Sequence, residues 1–82
     1  MILKDGSDVP ARKVQVIMKE LERCSPGDLK LMRAGAYGRE VPQAVLDAHP
    51  LLLYRGRLSA AAAAIIMNAV LPDGRLISPV RR

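Results

Sequence analysis

Residues 58–71 read LSAAAAAIIMNAVL. Residues 60–67 within them are all apolar, and the whole stretch carries no charged side chain. Alanine is the strongest helix former, and a run of it costs almost no side-chain entropy to order. Ser59 can cap the start by accepting an early backbone N–H. Pro72 cannot continue a helix, and it pushes Leu71 toward extended geometry. The stretch therefore predicts a helix. Leu58, Ala61, Ala62, Ile65, Ile66, Ala69 and Val70 fall on one face, while Ala60, Ala63, Ala64 and Met67 fill much of the rest. A helix that is apolar nearly all round is expected to be buried nearly all round.

A membrane span fits the stretch poorly. Its length corresponds to roughly 21 Å of helix, short of the roughly 30 Å hydrocarbon core. Arg55 and Arg57 lie before it, and Pro72 and Asp73 follow it. A central core helix is the expected role. The other role open to it is contact with a second copy or a partner, because small side chains let two backbones approach closely.

Composition limits the surroundings of such a helix. The chain has 82 residues with no Phe and no Trp, so its core must be built from Leu, Ile, Val, Met and Ala. That length predicts one helical domain over residues 1–82. A domain of this size buries only roughly 60–65% of its unfolded surface, so a second copy would help to cover the core. With 13 basic against 8 acidic residues, the net charge of +5 favours an acidic partner, either nucleic acid or an acidic protein face. The basic residues are nevertheless scattered. A single Cys allows no internal disulfide, and the first ten residues, MILKDGSDVP, lack the basic start and apolar run of a signal peptide. Both points predict a cytoplasmic protein.

Outward from residues 58–71, the clearest amphipathic pattern is residues 9–24. Val14, Ile17, Met18 and Leu21 recur at helical spacing, Cys24 extends the stripe, and Asp8 is placed to cap. Ser25-Pro26-Gly27-Asp28 reads as the start of a second helix, 26–34, with Ser25 as cap, Pro26 in the first position and Gly35 as the stop. A turn around Tyr37-Gly38 leads to a third helix, 41–49, which Pro50 ends. For residues 51–54 the pattern does not choose between a helical turn and an extended link. After the Pro72-Asp73-Gly74 turn, Leu76 and Ile77 are expected in an extended tail, with pairing against Ile2 and Leu3 as one option.

Catalytic chemistry finds little support in this pattern. One His and one Cys do not make a zinc set of the usual size, so neither a metal nor a cofactor is expected. Cys24 lies at the C-terminal end of its helix, where the negative end of the dipole disfavours a thiolate. His49 reads as a helix-terminal residue near loose carbonyls. No Gly-x-Ser-x-Gly turn or phosphate loop occurs, and no catalytic residues are predicted.

The expected fold is all-α: four helices, at 9–24, 26–34, 41–49 and 58–71, with short extended ends. The expected role is non-enzymatic: a small regulator, inhibitor or assembly factor that binds protein and forms a homo-oligomer. Its interface candidates are Tyr37, Arg39, Tyr54, Arg55, Arg57, Ala61, Ala62, Ile65 and Ile66, since Tyr and Arg anchor interfaces and the Ala face permits close approach. The alternative is a DNA-binding regulator with a helix-turn-helix-like segment at 29–49, using Lys30, Arg33, Arg39 and Gln43.

Overall fold

The computed structural model describes residues 9–77. Within them the chain runs α1 (Ala11–Glu22), α2 (Pro26–Ala36), α3 (Gln43–Ala48), a single 3-10 turn (Pro50–Leu52), β1 (Leu53–Tyr54), β2 (Arg57–Leu58) and α4 (Ala60–Ala69). The fold is mostly helical, and the small antiparallel sheet departs from a purely α expectation.

α4 is the centre of the core. Ser59 caps it, its Oγ accepting from the Ala62 N–H at 3.1 Å. Ala62, Ala64, Ile65, Ile66 and Ala69 are buried. They pack chiefly against α2, where Leu29 and Met32 are buried, and then against α1, where Val14, Ile17 and Leu21 are buried. Leu52, Val9 and Val70 complete this apolar cluster. The small alanines therefore face other helices of the same chain. Ala62, Ile65 and Ile66, offered above as interface candidates, lie wholly inside this core and cannot contact a partner; Ala61 is half-buried beside them. The apolar helix needs no second copy to cover that face.

The two ends of α2 differ in how they follow local signals. Ser25 caps it as expected, with Oγ accepting from the Asp28 N–H at 3.1 Å. The helix does not stop at Gly35 but continues to Ala36. A Cβ on Gly35 would overlap Val41 Cγ2 and press on Leu58 Cδ1. This glycine thus permits close packing of the α2–α3 loop and β2 on the helix, rather than ending it. The turn signal belongs to Gly38, at φ 98°.

α1, α3 and α4 are shorter than the expected 9–24, 41–49 and 58–71, with Leu58 in β2 and Val70 already extended after α4. α1 starts after Pro10 with no side-chain cap, and Asp8 lies outside the described residues. α3 is a six-residue helix that begins after Pro42. Residues 53–58 form a two-residue hairpin that pairs Leu53 with Leu58 and Tyr54 with Arg57. Arg55 and Gly56 occupy its tip at φ 55° and 78°, the left-handed pair that a tight hairpin requires.

After α4 the chain reverses. The Leu71 N–H donates to the Arg75 carbonyl at 2.8 Å, and Val70 bridges Leu76 antiparallel. The tail thus pairs with the end of α4, and Ile2 and Leu3 lie outside the described residues. Gly74 is buried at φ 87° against the start of α2, where a Cβ would overlap the Pro26 carbonyl oxygen. No described helix is long and apolar enough to cross a membrane.

Candidate functional site

Two features of the described residues have chemistry to offer. The first is an open cleft of about 880 Å3 between the α2–α3 loop and the hairpin. Gly35, Val41, Leu46 and Leu58 contribute its apolar lining, and Arg39, Glu40, Gln43 and Arg57 its polar lining. Arg39 and Arg57 are exposed, while Leu46 is buried beneath.

The local sequence explains the cleft. Gly35 lets Val41 and Leu58 sit against α2, so the loop and the hairpin lie side by side on one helix. Gly38 turns the loop and Gly56 turns the hairpin, and each glycine is followed by an arginine. Two segments singled out in the sequence, 37–39 and 54–57, thereby meet around one opening. Arg39 and Arg57 line it. Tyr37, Tyr54 and Arg55 are exposed but lie outside the lining. Tyr37 lies under the Arg33 guanidinium at 4.9 Å, and Tyr54 under that of Arg55 at 5.5 Å.

The residues offered for DNA contact are less well disposed. The Arg33 Nε–H donates to the Val70 carbonyl at 3.1 Å, which ties α2 to the end of α4. Gln43 donates to Asp47 at 2.9 Å along α3. Lys30 and Arg39 are exposed, but α3 is shorter than the expected reading helix and carries no basic residue of its own.

The second feature was not legible in the sequence. The buried His49 side chain points at α1, and its Nδ1 lies 2.6 Å from Oε2 of the buried Glu20. Its Nε2 lies 3.5 Å from Cys24 Sγ and 3.8 Å from Asp28 Oδ2. In the neutral tautomer that donates its Nδ1–H to the Glu20 carboxylate, Nε2 is the acceptor facing the thiol. The Cys24 thiol also lies 3.6 Å from the Glu20 carbonyl oxygen. Burial first, then the carboxylates of Glu20 and Asp28, push this thiol up from its ordinary 9.0 to about 11.

Comparison with family models, with curated proteins and with solved structures returns no match.

The arrangement around His49 therefore has to be read from its own chemistry. Glu20 takes one ring nitrogen, while Cys24 and Asp28 lie toward the other. No three His, Cys, Asp or Glu side chains among the described residues are disposed to share one metal ion. Helical spacing puts Glu20 and Cys24 on neighbouring turns of one face, and that much could be read beforehand. The partner His49 comes from residues far along the chain, and no local pattern announces it.

Proposed function

We propose that the chain is a small non-enzymatic protein-binding module that takes an acidic segment of a partner protein in the cleft between the α2–α3 loop and the hairpin. The observation that carries this reading is the convergence of Arg39 and Arg57 on one apolar-floored opening. An extended segment with a carboxylate beside an apolar side chain fits that chemistry. The carboxylate meets guanidinium forks, and the apolar group meets Val41, Leu46 and Leu58. The net charge of +5 favours approach of an acidic partner from a distance. A regulator, inhibitor or assembly factor would use such a surface. Self-association is no longer favoured by the Ala-rich helix, whose buried residues are already covered within the chain.

An array of short acidic, neutral and basic peptides of matched length tests the reading. Acidic peptides containing an apolar residue are expected to bind at low salt. They should be lost with the Arg39→Glu/Arg57→Glu variant, while its melting temperature stays unchanged. Equal retention by both proteins would remove the cleft as the site. Retention of duplex DNA in place of peptides, weakening steeply with salt, would transfer support to the nucleic-acid role.

A further inference from the structure

We propose that Glu20, His49 and Cys24 form a nucleophilic thiol site that accepts an acyl group from an activated ester or thioester. The three side chains stand in the order acid, imidazole, nucleophile, with 2.6 Å between Glu20 Oε2 and Nδ1 and 3.5 Å between Nε2 and Sγ. Each position suits its task. Glu20 and His49 are both buried, so the carboxylate fixes the ring's tautomer and direction and stabilises the imidazolium when it forms. Cys24 is only partly buried.

The thiol has two acceptors, the Glu20 carbonyl and His49 Nε2. Only the imidazole is a base, so only that contact can lead to reaction. In the step, Sγ attacks the acyl carbon and forms the S–C bond as its proton passes to Nε2. The bond from carbon to the leaving alkoxide or thiolate breaks, and the leaving group takes its electron pair and is protonated by the imidazolium or by solvent. No oxidant or reductant is consumed. The claim is one covalent acceptance per chain, and turnover is not part of it.

Two routes to the thioester differ in what limits them. Attack by free thiolate depends on the ionised fraction of Cys24, which at pH 7 is on the order of one in ten thousand for a group titrating at about 11. Attack assisted by His49 uses the imidazole as base and does not depend on the ionised fraction of the thiol. Among the described residues, Asp28 and Glu20 are the charged groups facing the ring, and Cys24 is its remaining titratable neighbour.

The 82-residue chain treated with 4-nitrophenyl acetate tests the proposal. Nitrophenolate release gives the rate, and peptide mass spectrometry locates the acetyl group. Expected is one acetyl per chain, on Cys24, at a rate that does not follow the tenfold-per-unit rise of the free thiolate between pH 8 and pH 10. A rate that instead climbs about tenfold per pH unit to pH 10, or acetyl on lysines with Cys24 unmodified, would overturn it. His49→Gln, if folded by circular dichroism, should slow Cys24 acetylation at pH 8 by about 100-fold or more and restore the steep climb. An unchanged rate overturns the proposal. Should that variant not fold, Glu20→Gln, which keeps a hydrogen-bond acceptor for Nδ1, is expected to slow the reaction several-fold, and no slowing counts against the role of Glu20. The wild-type profile decides the proposal by itself.

Discussion

Gly35 and Gly74 are both close-approach glycines, yet their neighbours differ in how far they can give. At Gly35 the obstacle is the Val41 side chain, which can turn aside. Alanine is intrinsically better than glycine in a helix by about 1 kcal/mol, so propensity alone would predict a gain from Gly35→Ala. Overpacking costs about 1–3 kcal/mol and outweighs it, giving a net loss in urea unfolding. Gly74→Ala should lose more, because its φ of 87° disfavours a side chain and the obstacle is the Pro26 backbone. A gain from either substitution would contradict the packing described. From sequence, Gly35 looks like a helix stop, because a glycine that ends a helix and one that admits a neighbour look alike until the neighbour is known. Cys24 adds a pH-dependent residue effect. Its folded form titrates near 11 against an ordinary 9.0, so the unfolded chain ionises first. The stability contributed by keeping the thiol neutral is complete below pH 9 and is lost as pH rises to about 11. The difference in unfolding free energy between the wild type and Cys24→Ala, measured in reductant, should therefore shift against the wild type over that window. Parallel curves would contradict it.

At the scale of elements, α4 was the easiest to read and α3 the hardest, for one physical reason. α4 has a capping serine, a run of strong helix formers and a proline after its end, and all three signals agree. α3 is six residues long and begins after a proline with no side-chain cap, so tertiary packing of Leu46 determines where it starts and stops. The hairpin was missed because Arg55 takes a left-handed conformation more typical of Asn or Gly, which hides the turn signal at Arg55-Gly56. Burial within α4 makes a paired prediction. Ala62 is fully enclosed, so Ala62→Arg should unfold the chain, since neither the volume nor the charge can be accommodated. Ala60 is exposed at the first position of the same helix, and Ala60→Arg should change stability by no more than about 0.5 kcal/mol. Circular dichroism melts of the two variants separate position from composition, and equal effects would show that the helix face has been misplaced.

For the whole molecule, stability and binding surface are expected to lie in different places. α1, α2 and α4 hold almost all of the fully buried side chains, and Arg33 ties α2 to the end of α4. The pieces around the cleft are a loop, the six-residue α3 and the two-residue strands of the hairpin, with Leu46 as their one buried contribution to the lining. Segments with few buried contacts open at lower free energy than the core they rest on. Amide hydrogen exchange should therefore be slow in the interiors of α1, α2 and α4, and faster at 38–46 and 54–58. A carboxylate-bearing peptide held between Arg39 and Arg57 would bridge loop and hairpin, and protection should then rise at 38–46 and 54–58 while α1 is unchanged. Protection spread evenly over the chain would mean that the peptide stabilises the fold from another site. Protection gained chiefly around Glu20, Cys24 and His49 would place that site on the face where α1 meets the imidazole, and the arginine pair would lose its role.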